Sequence, residues 1–182
     1  ALEFMNPTPS TKQRNREHAM GYLESPSNLS GSSLVNTLVI ASWHGDSILW
    51  EKIAAQLDRI SDPVIRLALA GALGSFRKPK LLAKSLNIVL AGKINSMEFE
   101  SFGRGIHFDT RIQAWSWLTT HWQKLSKLYG PSALKTAFQI AGQFCHRDRR
   151  DTIRDFFTQN SRFSVTKTHR LNRALESVTR CA

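Results

Sequence analysis

Residues 62–79 read DPVIRLALAGALGSFRKP, and this stretch decides the fold. Asp62 before Pro63 is a helix cap followed by proline at the first helical position, where its missing N–H costs nothing. Gly74 closes that helix and Pro79 opens the next. The same pattern repeats outward. On the N-terminal side, Leu49, Ile53 and Leu57 recur every four residues after a break and recap at Gly45-Asp46, and before it Leu34, Leu38 and Ala41 share one helical face. On the C-terminal side, Leu82, Leu86, Val89 and Leu90 follow Pro79, the helix stops near Gly92, and Asn95-Ser96 caps a short one. The start signals Asp46, Asp62, Pro79 and Asn95 therefore fall 16 to 17 residues apart. That spacing predicts helix hairpins of about 33 residues, the length class of an α-solenoid repeat, and favours it over an ordinary bundle of similar helices.

Farther along, Gly103 and Gly105 interrupt the pattern and read as a flexible joint. Asp109-Thr110 is predicted to start the longest helix, with Trp115, Leu118, Trp122, Leu125 and Tyr129 as its buried stripe. Gly130-Pro131 is a stop and restart. A helix carrying Leu134, Phe138, Ala141 and Cys145 follows, then one with Ile153, Phe156 and Phe157, and a last one with Leu171, Leu175 and Val178. No segment alternates with period two, so the expected class is all-α. Ala1-Leu2-Glu3-Phe4-Met5 looks like an expression scar, and residues 6–33, rich in Pro, Ser, Thr and Asn, leave room for one helix around Arg14 to Leu23. The domain reading is residues 1–12 as scar and flexible leader and 13–182 as a single helical-repeat domain.

The chain has 182 residues, 41% of them apolar, enough for a packed core. No uninterrupted apolar run and no basic-then-apolar leader suggests a membrane partner. Cys145 and Cys181 have no CxxC companion, which points to a reducing compartment and a cytoplasmic location. The 25 Lys and Arg outnumber 14 Asp and Glu, for a net charge of +11. Arg77, Lys78, Lys80, Lys84 and Lys93 form an acid-free block, and residues 144–182 carry nine bases against four acids. Such blocks permit a nucleic-acid or acidic-ligand surface, while basic solvated helix faces are common.

Most catalytic chemistry is excluded by what the chain lacks. Its histidines, His18, His44, His107, His121, His146 and His169, include no pair at the four-residue helical spacing that presents two imidazoles to one metal, and there is no HExxH. The glycines form no phosphate cradle. Cys145 precedes His146, but neighbours on a helix point about 100° apart, and Cys145 falls on an apolar stripe, so it reads as a core thiol. Asp46 beside His44 reads as a helix cap. Trp115 and Trp122 would stack nucleic-acid bases only if exposed, and their spacing places them in the core. Arg104 and Arg111 flank the glycine-containing joint, where guanidinium groups could reach a carboxylate or phosphate. Solvated arginine is the plain alternative.

The order of these motifs carries a resemblance. Ala41 with His44-Gly45-Asp46, Asp62-Pro63 with Arg66, and Ala72-Leu73-Gly74-Ser75-Phe76 with Pro79 resemble the C-terminal helical domain of M1-family zinc aminopeptidases of the alanyl, aminopeptidase N-like group, bacterial type. Thr110-Arg111 leading into Ala114-Trp115-Ser116-Trp117-Leu118, then Phe144-Cys145, Asp155-Phe156-Phe157 and Leu175-Glu176-Ser177 with Cys181 continue it in order, from about residue 17 to what looks like the natural C-terminus. The resemblance implies an array of HEAT-like or armadillo-like hairpins that arches over the active site of a separate catalytic domain. That domain would carry the zinc, the HExxH and the GAMEN-type loop, none of which is in this sequence. It implies a chain catalytically silent alone, with no cofactor of its own, whose partners are the parent catalytic domain and the peptide substrate. Arg104 and Arg111 become candidate contacts to the peptide carboxylate. The competing expectation is a basic helical-repeat module that binds nucleic acid or a protein.

Overall fold

The computed structural model describes residues 8–25, 31–144, 148–160 and 176. Among these residues the secondary structure is helical throughout, with no strand. The helices are α1 (Pro9–Glu24), α2 (Gly31–Trp43), α3 (Ser47–Arg59), α4 (Pro63–Gly74), α5 (Pro79–Leu90), α6 (Ser96–Gly105), α7 (Arg111–Thr120), α8 (Trp122–Tyr129), α9 (Pro131–Ala141) and α10 (Asp148–Asn160).

The predicted caps close with side-chain hydrogen bonds. Asp46 accepts from the Leu49 N–H at 3.0 Å, and Asp62 accepts from the N–H groups of Val64 and Ile65. Asn95 and Glu98 form a reciprocal capping box at the start of α6. Each bond satisfies donors that a helix N-terminus otherwise leaves orphaned. Thr8 and Pro9 open α1 five residues ahead of Arg14 by the same device, with Thr8 Oγ1 accepting from the Thr11 N–H.

The repeat is visible in what packs on what. Helices α2, α4, α6 and α9 stack side by side, each against the next, and begin at Gly31, Pro63, Ser96 and Pro131, steps of 32, 33 and 35 residues. Helices α1, α3, α5 and the α7–α8 pair form the second layer. Side chains therefore meet partners about one repeat away. Trp50 Nε1 donates to Ser85 Oγ, Ser101 Oγ to the Leu67 carbonyl, and Gln113 Nε2 to the Pro79 carbonyl, at separations of 35, 34 and 34 residues. An ordinary up-down bundle does not generate that constant register; a helical solenoid does.

Helix α4 is the centre of the domain. It is buried on every side from Ala68 to Gly74, as its run of small and aliphatic residues requires of a helix packed between two others. Close approach explains its glycines. A Cβ at Gly74 would stand 2.2 Å from the Phe102 carbonyl oxygen, and one at Gly105 would stand 2.1 Å from that of Gly71. The segment Gly103-Arg104-Gly105 is thus the last turn of α6, wedged against α4 and α9, rather than a flexible joint.

The helix expected from Asp109 is not one long helix. It divides into α7 and α8 at His121, whose φ of −102° and ψ of 15° leave the helical range. The hydroxyls of Thr119 and Thr120 bond back to the carbonyls of Trp115 and Ser116, and His121 Nδ1 meets the Trp117 carbonyl at 2.9 Å. Such back-bonding competes with the backbone ladder and bends it. The stripe survives the break: Trp115, Leu118, Trp122, Leu125 and Tyr129 are all buried. Trp115 packs edge-on against Phe144 and Phe156, and Phe138 stacks on Phe157 at 4.2 Å, tying α7, α9 and α10 together. On α9 the fully buried set is Ala133, Thr136, Ala137, Ile140 and Ala141, with Leu134 and Phe138 at its margin. Cys145 and the expected helix of Leu171, Leu175 and Val178 lie outside the described residues. Among the described residues no helix is long and apolar enough to cross a membrane.

Candidate functional site

A groove of about 690 Å³ crosses the layer formed by α2, α4, α6 and α9. One wall is the α2 stripe Val35, Val39 and Trp43, residues four apart that are only half-buried and so keep apolar surface on the groove. The floor is narrow because Gly71 and Gly105 bring α4 and α6 together there. The opposite rim is built by Arg104 and the segment after α6, Ile106-His107-Phe108. A mainly apolar trough with a few convergent polar groups is the usual form of a ligand site.

The two arginines expected from the sequence have different fates. Arg104 is exposed on the groove rim. Among the described residues no carboxylate forms an ion pair with its guanidinium; Glu100, one turn back, is bonded instead by Ser132 at 2.6 Å and Lys135 at 2.9 Å. Burial pushes the Glu100 carboxyl up, but those two bonds and the charges of Lys135 and Arg104 outweigh it and hold it below its ordinary value. Arg111 stands behind the rim. It donates to the Phe108 carbonyl, its guanidinium lies 5.9 Å from the Phe108 ring centre and 5.8 Å from that of Phe144, and its Nε is buried without a partner among the described residues. That is the setting of a residue that fixes the rim segment.

The sequence reading overlooked the residues that shape the rim. Arg77, at the exit of α4, donates from Nε to Asp109 Oδ2 at 2.7 Å, across 32 residues. The backbone N–H of Asp109 in turn donates to His107 Nδ1 at 3.2 Å. The His107 ring packs against Trp43, edge-on at 5.7 Å, and against Phe108 at 4.3 Å. Burial lowers the His107 pKa first, the Arg77 charge lowers it further, Asp109 opposes and Arg111 adds to the lowering, so the imidazole is kept neutral below its ordinary range. His44 is shifted the same way by burial and by Lys12, Arg77 and His107. The signal that could have found this cluster was the repeat itself, since a base and an acid one register apart, Arg77 and Asp109, are neighbours in a solenoid.

The same register explains the basic block at 77–93. Arg77 pairs with Asp109, Lys93 reaches Asp58 at 3.4 Å, and Lys84 stands 3.9 Å from Glu51. Three of the five charges that look unopposed along the sequence, Arg77, Lys84 and Lys93, have acids beside them in space. Among the described residues no group of three His, Cys, Asp or Glu side chains could hold a metal ion.

Comparison with known proteins agrees with this architecture. The family described as ERAP1-like C-terminal domain matches residues 7–180. Aminopeptidase M1-D of Oryza sativa subsp. japonica is 25% identical over 115 residues, covering 62% of this chain and 13% of the relative. Aminopeptidase M1 of Arabidopsis thaliana is 25% identical over 112 residues, covering 60% and 12%. The chain therefore spans only a small part of the length of the relatives it matches. With a family match over nearly all of its length, the chain belongs to the ERAP1-like C-terminal domain family, the C-terminal domain of M1 aminopeptidases.

Proposed function

We propose that this domain encloses the active-site chamber of a zinc aminopeptidase that removes N-terminal residues from peptides, and that its groove forms part of the wall the peptide meets. Its partner is the catalytic domain of the parent enzyme. The described residues offer zinc no seat, so the metal expected of the family would be held in that domain, where it would activate water for amide hydrolysis. The contribution of this chain is positional: closing the chamber limits substrate length and excludes bulk water.

The observation that carries this reading is the pairing of an exposed guanidinium, Arg104, which forms no ion pair among the described residues, with an apolar trough on one face of the repeat layer. A guanidinium suits the carboxylate end of a peptide, and half-buried Val35, Val39 and Trp43 suit its side chains. Arg111 supports the rim on which the peptide end would rest. The test is hydrolysis by the full-length enzyme of peptides graded in length. Replacing Arg104 with alanine should raise KM roughly tenfold for peptides long enough to span from the active site to the groove, the size of a partly solvated charge-assisted bond. Turnover of a single-residue amide substrate should not change. Equal kinetics across the whole length series would defeat the proposal.

A further inference from the structure

We infer that His107 is a ligand-binding residue of this groove, a neutral hydrogen-bond donor for a backbone carbonyl of an extended peptide, positioned by the Arg77–Asp109 pair. The inference rests on the reading of the groove as a peptide wall, and it assigns a recognition element distinct from the charge carried by Arg104.

Three features lead to it. The first is the tautomer. The Asp109 carboxylate Oδ2 also stands 3.4 Å from His107 Nδ1, but that oxygen accepts from Arg77 at 2.7 Å, and the shorter contact to Nδ1 is the Asp109 backbone N–H at 3.2 Å, which can only donate. Nδ1 is then the acceptor and the ring proton sits on Nε2. The second is where that proton is available. The ring lines the groove, and among the described residues nothing bonds to Nε2, whereas its partner nitrogen is spoken for. The third is rigidity. Trp43 and Phe108 both pack on the ring, the side chain is 12% exposed, and Arg77 holds Asp109, so little conformational freedom is left to lose on binding.

The charge state points to a carbonyl. The groups acting on this imidazole are Arg77 from the exit of α4, Asp109 on its own segment, Arg111 at the start of α7 and His44 at the α2–α3 corner, with Arg104 farther along the same rim. Cations outnumber the single carboxylate, and that carboxylate is tied to Arg77. A ring so placed stays neutral at pH 7 and matches an uncharged acceptor, leaving a carboxylate to Arg104.

The experiment uses this chain and the tetrapeptide Ala-Ala-Val-Leu, once with a free C-terminus and once amidated, titrated by NMR with the histidine rings labelled. In the unliganded chain His107 should show the Nε2–H tautomer, and both peptides should shift its Nε2 signal. His107→Ala should weaken both peptides three- to tenfold, the range of a neutral hydrogen bond. His107→Gln, which keeps an N–H donor, should recover part of that loss, which a purely structural role would not predict. Asp109→Asn, which leaves the backbone N–H but loosens Arg77, should fall between. Arg104→Ala should weaken only the free acid. An Nδ1–H tautomer, or peptides that shift Val35, Val39 and Trp43 while His107→Ala binds them as tightly as the wild type, would overturn the His107 assignment and leave the wall reading intact. If neither peptide perturbs the groove, both fall.

Discussion

The two ends of α4 make the same connection in opposite settings. At its start, Arg66 donates to Glu98 at 2.6 and 3.0 Å, and at its exit Arg77 donates to Asp109, each spanning 32 residues. Glu98 is 1% exposed and also accepts from the Asn95 N–H, while Arg66 reaches the carbonyls of Ile60 and Lys93 as well. Every oxygen of that carboxylate is used, and its bonds hold the Arg66 guanidinium charged above its ordinary range. Arg77 and Asp109 are about a third exposed, and their pair ends on the groove and on His107. One repeat-to-repeat clasp is anchored on a fully buried carboxylate and serves the fold; the other has both partners part-exposed and shapes a surface. A repeat protein can therefore place a recognition feature in a position that its neighbour uses for stability.

The comparison can be broken first at its buried end. Glu98→Ala should cost about 3 kcal/mol, because it strands a half-buried guanidinium and removes half of a capping box. Urea denaturation read by the tryptophans would check it, with a large fall in midpoint. Next comes the joint between the two ends. Gly105→Ala should cost about 2 kcal/mol by overpacking, since the new methyl would meet the Gly71 carbonyl in the middle of α4. Asp109→Asn should cost under about 1 kcal/mol in the same assay, the range of exposed ion pairs. A loss there as large as at Glu98 would erase the distinction between the ends.

The smallest effect is in pH dependence. The His107 pKa is depressed on folding, so the folded chain prefers the neutral ring. Its stabilising contribution is complete above the unfolded value near 6.5 and is lost as pH falls through the folded value. Thermal unfolding followed between about pH 7 and pH 5 should show a shallower decline for His107→Gln than for the wild type. Equal slopes would mean that the ring is not held neutral.

How much of this was legible in sequence follows from which forces act locally. Caps act within four residues, so Asp46, Asp62, Pro79 and Asn95 announced the helices that they start, and the even spacing announced the repeat. The break at His121 was hidden because Trp115, Leu118, Trp122, Leu125 and Tyr129 stay in phase across it; periodicity registers which face is buried, not whether the backbone ladder continues. Gly103 and Gly105 were misread as loose because glycine signals both freedom and close packing, and only the neighbouring helices decide. Arg104 was visible by position. Arg77, His107 and Asp109 were not, since their meeting depends on helices one repeat apart.

On the proposed reading, ligands meet the Arg77 end of α4 and not the Arg66 end. Hydrogen–deuterium exchange on the full-length parent enzyme, with and without a peptide that cannot be hydrolysed, tests it directly. Slowed exchange is expected in α2 around residues 35–43 and in residues 101–109, with residues 64–66 and 96–98 unchanged. Protection confined to the Arg66 end, or none in the groove, would contradict it.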